Sequence, residues 1–397
     1  MIIHPPEVID EGSTVILQSV IEYSGKQETL WYSFDSKYRQ YLTTEKLDGF
    51  LVGVLLLGMK LGEDIIVKSA LSEKLFYNLT NYYMNIVCLV MPSLKNVKII
   101  PDSLDNGKDN NCEQAVVTGF SAGIDSFCVL YDHLVADVPP GYKITHFVFN
   151  NVGSHGADVQ KEGALFHKRF DLIKGFAKEA GIEFVKINSN LSAILQMDFL
   201  QTHAPRNVSS LLLLQKLFSK YYYASDYKYQ DTFVGKTHSM GYTNPSALHL
   251  LSTETLDCIS SGGQHTRVEK TRRTVLVENA HRWLNVCVST RSDGKNCSEC
   301  EKCCRTLMTL DLLGVLENFS SVFDLNKWKY LRNWYIRKTV LNRKNRHPFV
   351  REMREYADTI GYSFPVRQRI LARTVDYIPT PIYNVLRSAV GRALFRK

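Results

Sequence analysis

The sequence predicts an α/β protein: a parallel sheet covered on both faces, preceded by a small α+β domain and followed by a basic helical region. Three observations predict it. Strand-like and helix-like segments alternate from about residue 115 onward. A Ser/Gly-rich turn, "TGFSAGIDSF" (118–127), joins the first strand of that series to its first helix. Five of the nine cysteines crowd between Cys287 and Cys304.

The 397 residues, 45% apolar and 22% charged, have the composition of a globular chain of two or three domains. The opening "MIIHPPEVIDEG" has no basic segment followed by an apolar one, as a secretory leader would. The longest apolar run, Phe50 to Met59, is far shorter than the roughly 20 residues of a membrane span. No transmembrane span is expected, and a cytoplasmic location is the default. In that setting crowded cysteines favour metal binding over disulfides.

Residues 1–105 read as the α+β domain. "STVILQSVIEY" and "TLWYSFDS" are rich in β-branched and aromatic residues and predict strands. "SEKLFYNLTNYYMNIV" predicts a helix capped by Ser72, with Leu75, Leu79 and Tyr82 on one face. No chemical constellation appears there, and the role of this part is open. "PDSLDNGKDNNCEQ" (101–114) is full of turn residues and predicts a linker or surface loop.

The α/β domain follows over 115–320. "AVVTGF", "KITHFVFNN", "EFVKINS" and "DTFVGK" predict strands. "DSFCVLYDHLV", "EGALFHKRFDLIKGFAKEAG" and "VSSLLLLQKLFSKYYYAS" predict helices. Residues 321–397 form the basic region, with 17 of the 48 basic and 5 of the 40 acidic residues of the chain. Trp328, Tyr330, Trp334 and Tyr335 interleave with its cations. A helical pair that packs its aromatics and exposes its cations is the favoured reading. Binding of nucleic acid or of an acidic protein is the alternative. The end, "TPIYNVLRSAVGRALFRK", places Ile382, Leu386, Ala389, Val390, Ala393 and Leu394 on one helical face.

The turn at 118–127 sits where a parallel sheet binds ligands, at the carboxyl edge of a strand. Gly119, Ser121, Ala122 and Gly123 are small enough for a sharp turn and close approach to a ligand. Backbone amides at a helix start suit phosphate, and the hydroxyls of Ser121 and Ser126 add donors. Asp125 suits a phosphate-bridging Mg2+ or a helix cap. The plain alternative is an ordinary strand-to-helix turn with serine and aspartate caps. The stretch lacks the GK[ST] of the Walker loop and is not G-x-G-x-x-G.

"CVSTRSDGKNCSECEKCCRT" gives Cys287, Cys297, Cys300 and Cys303 the spacing C-x9-C-x2-C-x2-C. Two-residue gaps let thiolates curl round one ion, and four thiolates suit a closed, structural Zn2+ site. Cys304 is a rival for the fourth place, and spacing alone leaves an iron–sulfur cluster open.

"SAGIDS" (Ser121, Ala122, Gly123, Ile124, Asp125, Ser126) resembles the SGGxDS loop of the PP-loop ATP pyrophosphatases, an adenine nucleotide alpha hydrolase-like superfamily. Ala122 stands where that loop has its second glycine. Together with the cysteine knuckle (287–304) and "APRN" (Ala204 to Asn207), the loop is similar to 7-cyano-7-deazaguanine synthase. The likeness spans about residues 115–310. It implies an ATP-binding loop at Ser121–Ser126, a zinc on the cysteines, a lysine near Lys270, and adenine or ribose contacts after the second strand, at Asn150. "GYTNPS" and "DCISSGG" stand where that family has a segment like GYPDCR, and neither matches it, so the acceptor substrate is open.

Further candidates come from the residues themselves. "SGGQHTRVEKTRRTV" supplies Arg267 and Lys270 as cations for charge developing on an α-phosphate, with a solvated helix start as the alternative. Arg206 is a phosphate or substrate contact or a salt-bridge partner. His155 reads as a surface histidine, and Lys236 and His238 are weak candidates. The resulting expectation is an AMP-forming C–N ligase using ATP, Mg2+ and Zn2+. It adenylates a small-molecule or protein carboxylate, with Asp125, Lys270 and Arg267 as catalytic residues. The alternatives are a thiolation-type enzyme acting on tRNA, with Cys258 carrying sulfur, and a non-catalytic ATP sensor. The oligomeric state is open.

Overall fold

The computed structural model describes residues 1–107, 112–155, 159–288 and 293–375. The chain forms two units: Met1–His265 with Arg273–Asn285, and Thr266–Arg272 with the chain from Val286 onward.

The first unit is built on one 11-stranded, mostly parallel sheet. Its strands are β1 (Ile2–Ile3), β2 (Glu7–Glu11), β3 (Thr14–Tyr23), β4 (Lys26–Asp35), β5 (Ile65–Ser72), β6 (Ile99–Asp105), β7 (Ala115–Gly119), β8 (His146–Asn151), β9 (Glu183–Ser189), β10 (Phe218–Ala224) and β11 (Asp257–Ser261). They lie in the order β11-β10-β7-β8-β9-β4-β3-β1-β5-β6, with β2 on β3. All neighbours from β11 to β9 are parallel.

One sheet thus runs through residues 1–105 and the α/β region alike. The first unit includes the chain on both sides of residue 105, and the second consists of Thr266–Arg272 with the chain from Val286 onward. The physical reason is a seam between β4 and β9. Only Tyr32↔Ser189 and Ser33↔Asn188 pair across it, antiparallel. Side chains extend the splice. Ser189 Oγ donates to Trp31 O (2.7 Å), while Asn190 accepts from Trp31 N (3.0 Å) and donates to Thr29 O (2.8 Å).

Several segments differ from their sequence-based expectation. "VSSLLLLQKLFSKYYYAS" divides: a helix spans Phe199–Leu212, and β10 begins at Phe218. Tyr221 and Tyr222 point to opposite faces of the sheet and both are buried, a place aromatic residues fill well. "DTFVGK" is no strand, because Phe233 and Val234 are exposed and the neighbour of β10 is β11, in the "DCISS" stretch. The 101–114 "linker" begins as strand β6.

The helical reading of 73–90 holds, but its face shifts. Leu79–Tyr83 is a π-turn, which adds a residue to the turn. Tyr83 is therefore buried while Tyr82 is exposed. Ser72 gives that helix no side-chain cap; its hydroxyl and amide go to the buried Asp48 carboxylate, at 2.6 and 2.8 Å.

The apolar run Phe50–Met59 is an internal helix, Asp48–Leu61, buried along most of its length. It lies against helix Phe199–Leu212. A Cβ on Gly49 would sit 2.7 Å from Ser209 O, and one on Gly53 would sit 2.9 Å from Tyr32 Oη. Tyr32 Oη in turn bonds Ser209 Oγ at 3.0 Å. No helix among the described residues is long and apolar enough to cross a membrane.

The second unit contains no strand among its described residues. Its longer helices are Glu301–Leu312, Leu325–Tyr335 (continued by a π-turn, Ile336–Val340), Pro348–Thr359 and Val366–Val375. Asp324 caps the second of these by accepting from Lys327 N at 3.0 Å. Of the interleaved aromatics, Trp328 and Tyr335 are buried and Tyr330 is 78% exposed. Arg332 is held by Asp311 at 2.5 Å and also donates to Tyr362 Oη. The amphipathic stretch 380–397 lies outside the described residues.

Candidate functional site

In the first unit, β7 is followed in the sheet by β8 and β9 on one side and by β10 and β11 on the other. The chain reverses its direction of winding between β7 and β10. In a parallel sheet such a reversal opens a crevice at the carboxyl edge, because successive crossovers leave on opposite faces. The stretch 120–123 sits on that edge. Phe120 N still bonds Val148 O (3.0 Å), and helix Ile124–Leu130 starts directly after.

The loop's conformation follows from its residues and their bonds. Ala122 has φ +56°, the left-handed region that favours glycine, and it is fully buried. A non-glycine residue there costs about 1–2 kcal/mol. Its carbonyl is fixed by Asn285 N at 2.7 Å. Gly123 holds the N-cap position, so the helix has no side-chain cap. Ser121 is exposed and Asp125 half-buried in the first turn. Ser126 is buried, and its hydroxyl donates back to Gly123 O at 2.9 Å, so that donor stabilises the loop. Ile124 is a core residue.

Asn150, at the end of β8, faces the same edge region. It is 8% exposed, its Nδ2 donates to Asn207 Oδ1 at 3.2 Å, and its Oδ1 has no hydrogen-bond partner. A buried amide oxygen without a donor loses about 1–3 kcal/mol of solvation, so the position favours a ligand donor. Asn207 is anchored through its own Nδ2 to His203 O at 2.7 Å.

Other candidates are placed differently. Arg206 is 1% exposed inside helix Phe199–Leu212. It donates to Thr202 Oγ1 (2.7 Å), Val152 O (3.0 Å) and Met197 O (2.7 Å). A Cβ on Gly153 would come within 2.5 Å of its Nη1, so the chain after β8 lies directly on the guanidinium. His155 is buried, not a surface residue, and packs edge-on against Phe149 and Phe166 at 5.3 Å each. Burial, with Arg169 adding to it, pushes its pKa down to about 3. Lys236 and His238 are exposed. Cys258 is buried in β11, and burial pushes its thiol up to about 12, which suits a structural residue better than a sulfur carrier.

The sequence reading missed a group at the end of β10. His203 Nδ1 and Tyr223 Oη are 2.5 Å apart, and His203 Nε2 lies 4.0 Å from Asp226. Burial lowers the His203 pKa, and burial first, then Tyr221, Asp226 and Asp125, raises that of Tyr223. Residues 203, 223 and 226 share no motif spacing, and the expected helix over 208–225 hid the strand that joins them.

Arg267 and Lys270 belong to the second unit and both are buried there. The Arg267 guanidinium lies 4.3 Å from the Phe349 ring centroid, with that of Arg305 4.6 Å from the same ring. The Arg267 amide donates to Glu352 at 2.6 Å.

The second unit also holds the cysteine cluster. The thiols of Cys287, Cys297, Cys300 and Cys303 lie within 4.8 Å of one another. Cys287 and Cys300 are 3.8 Å apart and Cys297 and Cys303 3.9 Å, and none is in a disulfide. Four sulfurs about 2.3 Å from a tetrahedral zinc stand about 3.8 Å apart, so the donors and spacing fit that ion. The Cys300 amide donates to Cys297 Sγ at 3.2 Å, the bond that neutralises a ligating thiolate. Hydrogen bonds from Cys303 hold the Cys300 thiol well below its usual range, while Cys303 is pushed up by the same contact. Cys304 is not part of the set. It is buried and donates to Glu299 O at 3.3 Å. Four thiols around one ion would leave no open position, as in structural zinc sites.

Compared with known protein families, with curated proteins and with solved structures, the chain shows no significant match.

Proposed function

We propose that the protein is an ATP-dependent enzyme of the PP-loop type that adenylates an acceptor carboxylate and passes it to an amine or ammonia. One observation carries the reading: the "SAGIDS" loop occupies the carboxyl edge of β7 at the point where the sheet's winding reverses. Two details support it. The residue at the second-glycine position of the loop it resembles has a positive φ. The unpartnered Asn150 Oδ1 offers an acceptor for an adenine or ribose donor at the neighbouring strand end.

In this reading the acceptor carboxylate attacks the α-phosphorus of ATP. One P–O bond forms to the acceptor, and the bond to the β-phosphate oxygen breaks, releasing pyrophosphate. Amides at the start of helix Ile124–Leu130 and Ser121 hold the departing charge, which a helix start favours. Asp125 holds the Mg2+ that ATP brings. The amine then displaces AMP from the acyl group, forming a C–N bond. A zinc on the four cysteines maintains the second unit. Lys270 and Arg267 are not needed for this account.

The test is release of AMP and pyrophosphate from ATP with Mg2+, with and without 7-carboxy-7-deazaguanine plus ammonia. Asp125→Ala is expected to lower release about 100-fold or more, the scale on which positioned charge acts in such sites. Dependence on the deazaguanine acid identifies the acceptor; release indifferent to it keeps the class and rejects that acceptor. ATP binding with no release above the variant favours an ATP sensor and overturns the enzymatic reading.

A further inference from the structure

Cys128, Asp132 and His265 come together within the first unit, far in sequence from the four-cysteine cluster. Cys128 lies in helix Ile124–Leu130, and Asp132 in the π-turn Tyr131–Val135 that continues it. Four residues apart, they share a face of the helix. His265 belongs to the loop after β11, whose backbone is turned by Gly262 at φ +88°, with His265 N on Gly262 O at 3.2 Å.

One carboxylate oxygen gathers the group. Asp132 Oδ2 lies 2.9 Å from His265 Nε2 and 3.8 Å from Cys128 Sγ, and 3.4 Å from the amide end of Gln264. All three potential ligand atoms lie within 4.8 Å of one another. The other oxygen, Oδ1, accepts from Arg273 Nε at 2.8 Å. Cys128 is fully buried and His265 nearly so, while Gln264 is exposed.

We propose that Cys128, Asp132 and His265 form a second metal site, for a divalent transition ion of the zinc type. One soft thiolate, one imidazole and one carboxylate make a donor set that selects such ions over Mg2+ and Ca2+. Around a tetrahedral zinc the sulfur–oxygen separation is about 3.6 Å and the nitrogen–oxygen separation about 3.4 Å. The first matches the structure; the second asks His265 and Asp132 to part by about half an ångström as the ion replaces their hydrogen bond. Arg273 then acts from outside the ligand set. It holds Oδ1, so that Oδ2 is aimed at the ion, which is how ligating carboxylates are oriented elsewhere. The amide of Gln264, turned end for end, brings its oxygen to the fourth position from the solvent side. On binding, Cys128 gives up its thiol proton and His265 binds as the neutral imidazole.

Such an ion ties the loop after β11 to the helix that begins at the "SAGIDS" loop. The proposal does not rest on the nucleotide reading. It competes with a metal-free account, in which Asp132 is simply an ion-pair partner of Arg273 and His265.

The test is cobalt(II) titration of the full, metal-stripped chain, followed by absorbance, with zinc content of the zinc-reconstituted chain measured alongside. Two equivalents are expected: one with the charge-transfer intensity of four thiolates, the other with that of a single thiolate. His265→Gln and Cys128→Ser are each expected to remove the single-thiolate step and leave the four-thiolate step intact, which also shows that the variants fold. Cys300→Ser is expected to do the reverse. A single equivalent in the unaltered chain, or a second step that survives both His265→Gln and Cys128→Ser, overturns the proposal in favour of the ion-pair account.

Discussion

The first unit buries a large apolar core, in which strands such as β3 and β4 share ten residue pairs and helix Asp48–Leu61 is enclosed on nearly every side. Among its described residues the second unit has helices and no strand, and its first long helix, Glu301–Leu312, has Cys300 as its N-cap. Removing apolar surface from water supports the first fold by many weak terms. A few sulfur–metal bonds can support the second by one strong term, since structural zinc contributes roughly 10–16 kcal/mol to the folding of small domains. The difference predicts where each unit gives way: the first to volume changes and, with an ion on its four thiols, the second to the loss of one cysteine.

The largest expected effect comes from breaking that one strong term. Cys300→Ser, or a chelator, is expected to abolish the four-thiolate metal and the hydrogen-exchange protection of Glu301–Leu312, while β7–β9 keep theirs. Equal loss in both units would break the contrast. Next comes Gly49→Val. Its side chain meets Ser209 O and Leu213, both under 3 Å from the added Cβ, so backbone must move. A loss of about 3 kcal/mol is expected in a urea titration, at the upper end for overpacking, with protection falling first in Phe199–Leu212.

A smaller effect is pH-dependent. His155 is held neutral in the fold, at about 3, against about 6.5 in an unfolded chain. Below 6.5 the unfolded chain takes up a proton that the fold excludes, so stability falls from there toward pH 3. Between pH 6.5 and 5 the loss is about 1.7 kcal/mol, the slope rising toward about 1.4 kcal/mol per unit as the unfolded histidine becomes fully protonated. His155→Gln is expected to flatten that slope. Smallest is Ala122→Gly, which relieves the left-handed strain and is expected to raise stability by about 1 kcal/mol, less any packing lost with the buried methyl. A loss instead would mean that the methyl contacts outweigh the strain.

What was legible in the sequence had short-range physics. Cys297, Cys300 and Cys303 carry their geometry in their spacing, and their thiols meet as expected. The loop at Ser121–Ser126 was legible as a turn between strand and helix, because glycine and serine placement fixes that locally. Its place at the winding reversal was not, since that depends on β10 pairing with β7, about a hundred residues away. The aromatic run Tyr221–Tyr223 fits strand or helix until a neighbouring strand decides it. His155 looked like a surface residue because Phe166, which encloses it, comes from the following helix. Asp132 gave no signal at all; its partners His265 and Arg273 arrive only through the fold.

The two-pair seam between β4 and β9 has one more consequence. Without residues 1–105, β9 would end the sheet with open amides and carbonyls along one side, a template for any other extended chain. The amino-terminal strands cover the Asn188–Ser189 end of that rim. A fragment starting at Ala115 is therefore expected to pair with itself along β9 more readily than the intact chain does, read as a larger species in sedimentation.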